Sequence, residues 1–340
     1  MKKFKIAIVT INQPSLDSAC RLVSVLDEYE VDVYGKKALS HTLKHLHLYN
    51  KLDDILAPAW KGYDAIIAIL AMGAVVRKIA PLLEDKSTDP AVLVINLALD
   101  KVVPLLSGHL GGANELAETL TSRLPNCMNF ISTATDQTKT LAFEMLAKKN
   151  GWQIENLKAL AKVSNRLLNK QAVKVATYPN IFESIPNKDN LTLVGFDNLD
   201  LDTVVIAPHI TSTSLTFKPL VSLGMGCNRG TSFEAIEKAF NDFLAKHHLK
   251  ASQIKNIASF EAKKDEQGLL NFATHHNLEI TFYEKSSING LEQDFSDSAS
   301  TKFFGLKGVA EPSAVLASTY KELIIKKEVY NKEITIAGAV

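Results

Sequence analysis

The sequence predicts an α/β protein of several domains, with a parallel, doubly wound sheet in its N-terminal part. Short runs rich in valine and isoleucine alternate with amphipathic helical segments almost throughout. Glycine-rich loops follow two of the predicted strands. At 340 residues the chain exceeds the typical domain length of roughly 150 residues, so we expect two or three compact units.

The N-terminal unit is predicted to cover residues 1–136. Its β-rich runs are separated by helical patterns, which is typical of βαβ units. In chain order we predict a strand at 4–11, a helix near 18–29, a strand at 31–34, a segment near 39–48, a strand at 65–70, a helix over 76–83, two strands at 91–96 and 101–106 joined as a hairpin through 98–100, and a helix over 114–124.

A small α/β connector domain is predicted over residues 137–218, with a helix near 154–168 and strands in VKVAT, LTLVGF and DTVVIA. The Ser- and Thr-rich stretch at 209–219 marks its end. The C-terminal α/β domain is predicted over 219–340, beginning with a strand that enters a glycine loop. Strands and helices then alternate through IKNIASF, GLLNFATHH, LEITFYE and SAVLASTYKELI.

Composition argues against several function classes. Lysine plus arginine (38) nearly balances aspartate plus glutamate (37), which disfavours partners such as nucleic acid or anionic lipid. Cys20, Cys127 and Cys227 lie far apart without a CxxC spacing, so we expect a reducing, cytoplasmic compartment and no thiolate zinc site. The longest apolar run, 65–76, is shorter than the roughly 20 residues of a bilayer span and is predicted to be buried core.

The segment LLSGHLGGANE at 105–115 is the most informative loop of the chain. It places three glycines with Ser107, His109, Asn114 and Glu115 between a predicted strand and a predicted helix. Converging backbone N–H groups and a helix N-terminus suit a carboxylate or a phosphate. His109 is a candidate general base near neutral pH. The alternative is a tight turn without a catalytic role. In that case Ser107 caps the helix, His109 is merely exposed, and the negative charge of Glu115 stabilises the first helical turn.

A second loop, GMGCNRG at 224–230, follows the first strand of the C-terminal unit. Its spacing is GxGxxxG, and the sequence contains no GxxxxGK[ST] run, so we do not expect nicotinamide or ATP binding. Arg229 is a candidate partner for a carboxylate. Cys227 has no histidine beside it and is expected to be inert. Thr231 followed by Glu234 predicts a capping box at the start of the next helix.

Other polar groups have simpler structural interpretations. Lys263 and Glu266 belong to a charge run, which is usually a solvated face. Glu311 precedes a proline where a helix should begin, so its structural role would be to favour the helix macrodipole. A further charged group consists of Arg77, Lys86 and Asp89-Pro90.

The histidines are expected to be structural. The spacing of His41, His45 and His47 favours a helix surface over a metal site. The pairs His247–His248 and His275–His276 indicate helix ends.

With these loops the chain resembles the cobalamin biosynthesis protein G family, the cobalt-precorrin-5A hydrolases. The resemblance covers nearly the whole chain, and SGHLGGANE is its most specific part. The chain departs from the family at 96–100, where an acidic residue and a glycine are frequent, and its middle unit matches in layout alone. The matching runs are MGAVVRKIAPLLEDKSTDPAV (72–92), LLSGHLGGANELA (105–117), STATD (132–136), LGMGCNRGTS (223–232), ASFEAKKDEQGLL (258–270) and GLKGVAEPSAVLAS (305–318).

The resemblance implies an enzyme that opens the δ-lactone of cobalt-precorrin-5A with water and releases the methylated meso carbon as acetaldehyde, giving cobalt-precorrin-5B. It implies no added cofactor and no protein-bound metal, because cobalt arrives inside the tetrapyrrole. The expected partners are neighbouring cobalamin-pathway enzymes and a second copy in a homodimer, rather than nucleic acid or membrane.

Fitting residues to that reaction assigns catalysis to Ser107, His109 and Glu115, with the N–H groups of Gly111 and Gly112 facing the oxyanion. The substrate carries several carboxylates, which glycine loops and cationic side chains can hold. Substrate contacts are therefore assigned to Arg77, Gly108, Gly111, Gly112, Asn114, Asp136, Gly226, Arg229, Lys263 and Glu311.

Two rival functions remain open from the sequence. One is a tetrapyrrole-binding or handover protein in which the same loops hold carboxylates and no proton is moved. The other is a nucleotide-dependent α/β enzyme, which the glycine spacings disfavour.

Overall fold

The computed structural model describes residues 3–37, 45–85, 88–132, 140–297 and 305–340. The chain divides into two compact units, Met1–Lys139 and Thr140–Val340. Within the described residues the strands form three mostly parallel sheets, of seven, five and five strands. The α/β fold class is therefore confirmed. Each sheet is built from consecutive strands, and the predicted boundaries at residues 136 and 218 stay a prediction.

The N-terminal sheet has the strand order β3-β2-β1-β4-β5-β6-β7. Its first five strands pair in parallel, whereas β6 runs antiparallel to β5. The runs in β1, β4 and β5 are almost wholly buried, as expected for parallel strands covered on both faces. The strands are β1 Lys5–Thr10, β2 Glu30–Lys36, β3 Leu46–Tyr49, β4 Ala65–Ile69, β5 Ala91–Ile95, β6 Lys101–Leu106 and β7 Met128–Asn129.

Two helices of this unit begin earlier than the sequence patterns predicted, and α2 was not predicted. Helix α1 starts after Asn12, whose side chain accepts the N–H of Ser15 in a capping box, so the start predicted near Ser18 is wrong. Helix α3 likewise begins at Met72 rather than Val76. The helices are α1 Gln13–Val23, α2 Asp53–Gly62, α3 Met72–Ile79 and α4 Ala113–Arg123.

The hairpin predicted between β5 and β6 is confirmed, and it reverses the chain direction at that point. The side-chain oxygen of Asn96 accepts the N–H groups of Asp100 and Lys101 and closes the turn. Because Leu106 pairs with Val92, the end of β6 lies beside the start of β5. The loop after β6 therefore opens at the edge of the sheet opposite to the carboxyl ends of β1, β4 and β5.

The middle sheet has the order β10-β9-β11-β12-β8, with β8 antiparallel to β12. The helix predicted from Ile154 begins at Leu160, because residues 153–155 pair as a strand with β12. The elements are β8 Gln153–Glu155, β9 Val173–Thr177, β10 Leu191–Val194, β11 Val204–Ile206 and β12 Thr216–Lys218, with helices α5 Phe143–Asn150, α6 Leu160–Leu168 and α7 Pro179–Ser184.

The C-terminal sheet has the order β15-β14-β13-β17-β16, in which the first three strands are parallel and the last two antiparallel. Phe240 and Phe272 pack edge to face, with ring centroids 5.0 Å apart, in the core beneath it. The elements are β13 Val221–Cys227, β14 Ile254–Phe260, β15 Glu279–Tyr283, β16 Leu323–Tyr330 and β17 Ile334–Ala339, with helices α8 Phe233–Lys246, α9 Gln267–His275, α10 Lys285–Asn289 and α11 Ala310–Ala317.

Helix α8 begins one residue later than the capping prediction. The hydroxyl of Ser232, not Thr231, accepts the N–H of Ala235. Thr231 instead donates its hydroxyl to the carbonyl oxygen of Asn228. The predicted helix ends at His247 and His275 are confirmed. In the part of the chain that the structure describes, no helix has the length and apolar character of a membrane span.

Candidate functional site

The SGHLGGANE loop folds back on itself between β6 and α4. Ser107 has a left-handed backbone (φ 55°), and its hydroxyl donates to the carbonyl oxygen of Asp89 at 2.9 Å. A Cβ added at Gly111 would lie 2.4 Å from the Cβ of Ser107 and 2.8 Å from its carbonyl oxygen. Only glycine fits at position 111 in this conformation.

The first N–H groups of α4 are already satisfied within the loop. Gly112, at φ 88°, is the N-cap of α4 and donates to the carbonyl oxygen of His109 at 3.0 Å. The N–H of Asn114 donates to Gly108 at 3.0 Å, and that of Ala113 to the Ser107 carbonyl at 3.2 Å. An oxyanion contact from the N–H of Gly112 would require its bond to His109 to break.

The predicted catalytic residues all lie in this loop or in the first turn of α4. His109 is half-buried, and Glu115 is exposed in the first turn of α4. Asn114 is buried, and a Cβ at Gly108 would lie 2.8 Å from its side-chain oxygen, so these two residues pack closely. The structure thus gathers Ser107, Gly108, His109, Gly111, Gly112, Asn114 and Glu115 into one loop and helix start.

Arg77 does not join this group. Its Nη1 donates to the carbonyl oxygen of Gly73 at 2.9 Å, in the first turn of α3. That turn follows the carboxyl end of β4, whereas the SGHLGGANE loop opens at the other edge of the sheet. Asp136, predicted to contact substrate, lies outside the described residues, as do Lys86 and His41.

A cleft of about 560 Å³ lies at the carboxyl edge of the N-terminal sheet, and the sequence interpretation missed it. It lies where β1 and β4 are neighbours and the strand order reverses, a common ligand position in doubly wound sheets. Ile11 and Leu97 remain 37% and 48% exposed at its rim, so the surface is apolar. The residues lining it are Ile11, Asn12, Ile69, Leu70, Ala71, Ile95, Asn96, Leu97 and Ala98.

Arg229 and Lys263 come together at the carboxyl edge of the C-terminal sheet. Arg229 donates through Nη1 to Asp265 at 2.6 Å and through Nη2 to the carbonyl oxygen of Ala262 at 3.4 Å, and its Nε forms an ion pair with Glu266 at 3.1 Å. The Nζ of Lys263 lies 3.5 Å from the same oxygen of Glu266. Glu266 is 3% exposed, so the charge run read as a solvated face contains one buried carboxylate.

Cys227 lies at the end of β13 near this group. Burial raises the pKa of its thiol, and Glu266 raises it further, against the opposing charges of Lys263 and Arg229. A raised thiol pKa disfavours the thiolate, in agreement with the expectation that Cys227 is inert.

The first two glycines of GMGCNRG make room for packing. A Cβ at Gly224 would lie 1.7 Å from the carbonyl oxygen of Ala310, and one at Gly226 would lie 2.6 Å from the Oγ1 of Thr335. Both glycines are buried within β13. Gly226, predicted to contact substrate, is therefore placed where β13 packs against Thr335 of β17 and against Val309, the residue before α11.

Glu311 is also turned inward. It is 2% exposed and accepts the N–H of Ser296 at 2.7 Å, the hydroxyl of Ser296 at 2.7 Å and the N–H of Lys327 at 2.8 Å. Burial alone would raise the pKa of Glu311, but these donors outweigh it and hold the pKa below its usual range. Its carboxylate ties the start of α11 to β16.

The histidines show no metal-binding arrangement among the described residues, where no three His, Cys, Asp or Glu side chains converge as ligands. His47 lies in β3 rather than on a helix, so the helix-surface prediction for it is wrong. Its Nε2 is 3.2 Å from Asp32, and its ring stacks on Tyr34 with centroids 5.1 Å apart.

The chain matches three family descriptions in order. These are "Cobalamin synthesis G N-terminal" over residues 54–136, "Cobalamin biosynthesis central region" over 141–206 and "Cobalamin synthesis G C-terminus" over 221–339. A putative cobalamin biosynthesis protein G homologue from Sulfolobus solfataricus is 23% identical, covers 98% of this chain and 96% of its own, and superimposes with a TM-score of 0.41.

Two curated relatives carry the name cobalt-precorrin-5A hydrolase. The protein from Priestia megaterium is 30% identical over 97% of this chain and 94% of its own length. That from Salmonella typhimurium is 31% identical over 76% of this chain and 78% of its own. The chain belongs to the cobalamin biosynthesis protein G family.

Proposed function

We propose that this chain is a cobalt-precorrin-5A hydrolase of the cobalamin pathway. The observation that carries the proposal is the 30% identity to a hydrolase of that name over 97% of this chain, across all three family regions. The substrate is then a cobalt-containing tetrapyrrole, and the cobalt enters with it. We propose no added cofactor for the reaction.

In the proposed reaction, water opens the δ-lactone and the methylated meso carbon leaves as acetaldehyde. Hydrolysis turns the lactone into a carboxylate and a hydroxyl group. Loss of the hydroxyl proton then breaks the carbon–carbon bond to the ring, and the conjugated macrocycle accepts the electron pair. The chemistry requires a group that removes and returns protons near pH 7.

His109 is proposed as that group, with Glu115 as the second proton-transfer residue. The supporting geometry is the loop that holds both at the start of α4, with His109 half-buried. Ser107 is proposed to act by fixing the loop, since its hydroxyl proton already points to the Asp89 carbonyl. Substrate carboxylates are proposed to contact Arg229 and Lys263, which lie together in the second unit.

We place the enzyme in the cytoplasm, supported by the three free cysteines. Neighbouring enzymes of the pathway would supply its substrate and accept its product. A homodimer is the proposed assembly, which light scattering tests directly.

Acetaldehyde release from cobalt-precorrin-5A under anaerobic conditions tests the proposal. The native chain should release acetaldehyde, and His109→Ala should lower the rate by about a hundredfold, the usual worth of a general base, while substrate still binds. His45→Ala is the matched control, because His45 is an exposed histidine of the same unit. Folded native protein that binds substrate and releases no acetaldehyde would favour the binding or handover protein.

A further inference from the structure

We infer that Glu266 is a positioning residue that holds Arg229 and Lys263 as paired hydrogen-bond donors for a substrate carboxylate. The inference rests on the proposed function and deepens it, because it names the residue on which both cations depend. The buried carboxylate, the geometry of its donors and the open space beside the loop support it.

The group lies where α/β sheets commonly bind ligands. Strands β13 and β14 are parallel neighbours, with Gly224 opposite Ala258. The loop after each strand therefore leaves the same carboxyl edge of the sheet. Arg229 comes from the first loop, and Lys263 and Glu266 come from the second.

Glu266 receives donors from both loops. Its Oε2 accepts the N–H of Gly230 at 2.9 Å, and its Oε1 lies 3.1 Å from the Nε of Arg229 and 3.5 Å from the Nζ of Lys263. A carboxylate that is 3% exposed is costly to bury unless such partners replace its contacts with water. The same contacts fix the positions of both cations.

The fixed cations still have donors to offer. Arg229 donates one Nη1 bond to Asp265 and one Nη2 bond to the carbonyl oxygen of Ala262, and its Nε faces Glu266, which leaves one N–H on each of its two Nη nitrogens. Its side chain is 64% exposed. A guanidinium has five N–H donors in a planar arrangement that matches a carboxylate. A Cβ built at Gly230 meets no heavy atom within 4 Å, so there is free space beside the loop.

The charge balance favours a carboxylate as the ligand. Arg229 and Lys263 are matched by Asp265 and Glu266, so the group as a whole carries no net charge. A neutral group of oriented donors suits a singly charged carboxylate better than a multiply charged phosphate. Acetate and propionate side chains of a tetrapyrrole supply that chemistry.

The decisive variant is Glu266→Gln, which keeps the shape and an acceptor for Gly230 but removes the charge. We expect KM for cobalt-precorrin-5A to rise about tenfold while kcat changes by less than about twofold, as for loss of a binding contact shared by ground and transition states. Binding of cobalt uroporphyrin, which carries acetate and propionate groups, should weaken by about the same factor. Cobalt tetrakis(N-methylpyridyl)porphyrin, a cationic macrocycle, should bind no differently to the variant.

Glu261→Gln is the matched control, because it removes the same charge from an exposed position in the same loop. Arg229→Lys is a second variant at an exposed site; it keeps the charge and loses the Nε contact, and should weaken uroporphyrin binding by about threefold. Unchanged or tighter uroporphyrin binding by folded Glu266→Gln, or an equal loss in Glu261→Gln, overturns the inference.

The two proposals fail separately. If the native chain binds uroporphyrin and Glu266→Gln weakens it, but no acetaldehyde is released, the carboxylate site stands and the hydrolase proposal falls. If acetaldehyde is released and Glu266→Gln leaves KM and uroporphyrin binding unchanged, the hydrolase stands and the positioning role falls.

Discussion

The loops SGHLGGANE and GMGCNRG both connect a strand to a helix, yet their glycines serve different purposes. In the first, Gly111 allows the chain to pass within contact of Ser107, and Gly112 takes a left-handed turn. In the second, Gly224 and Gly226 lie inside β13; Gly224 leaves space for α11, and Gly226 leaves space for the side chain of Thr335 in β17. A glycine-rich motif thus indicates close approach, and only the neighbouring atoms show whether that approach shapes a loop or a packing contact.

The polar groups differ in the same way. In SGHLGGANE the candidate groups belong to the glycine loop itself. At GMGCNRG the chemistry depends on side chains from two loops, since Glu266 follows β14 and Arg229 follows β13. Damage to the glycines should therefore affect reaction rate in the first region and stability in the second.

The largest effect is expected for Gly224→Ala. The new methyl group would lie 1.7 Å from the carbonyl oxygen of Ala310 and 2.6 Å from the N of Ala314, so α11 must move. We expect a loss of about 3 kcal/mol in the free energy of unfolding, measured by urea denaturation. Gly230→Ala is the contrast, with no atom within 4 Å but a φ of 77°, and should cost about 1 kcal/mol. A larger loss at position 230 than at 224 would contradict the packing role.

Gly111→Ala is expected to lose less stability than Gly224→Ala but more activity. Its methyl group would overlap Ser107, so the loop must open and displace His109. We expect a loss of about 2 kcal/mol in the free energy of unfolding and a decrease of about tenfold or more in the rate of acetaldehyde release. Gly62→Ala, with no atom within 4 Å, is the matched control in the same unit. Full activity in folded Gly111→Ala would separate the loop from the chemistry.

The smallest effect is expected in the pH dependence of stability that Glu311 causes. This residue anchors α11, the helix that faces Gly224. Because its folded pKa lies below the unfolded value of about 4.3, its contribution is complete above that pH and is lost as pH falls through the folded pKa. Between pH 7 and pH 3 the free energy of unfolding should fall more for the native chain than for Glu311→Gln. Urea midpoints across that range measure the difference, and parallel curves for the two chains would refute it.

Much of the fold could be predicted from the sequence because its signals are local. The buried runs of β1, β4 and β5 and the turn held by Asn96 act over a few residues. The true start of α1 also had a local signal, because Asn12 is a helix N-cap residue and Pro14 favours the first helical turn, although the predicted start lay near Ser18.

The site could be predicted only in part, because its remaining features depend on contacts between distant segments. Gly226 meets Val309 and Thr335, which no spacing rule relates to it. The burial of Glu266 depends on a neighbouring strand bringing Arg229 and Gly230 to it. The SGHLGGANE residues were found because they are contiguous, whereas the edge on which they lie follows from the β5–β6 pairing.

The position of β17 bears on how the second unit is made. Strand β13 lies at the centre of its sheet, and its partner on one side is β17, which is synthesised more than 100 residues later, since Ser222 pairs with Ala339. Until then, that edge of β13 offers unpaired N–H and C=O groups to any other strand. Long-range pairing of this kind slows folding and lengthens exposure to aggregation. We expect recovery of soluble protein to improve at low growth temperature, where synthesis slows and fewer nascent chains meet.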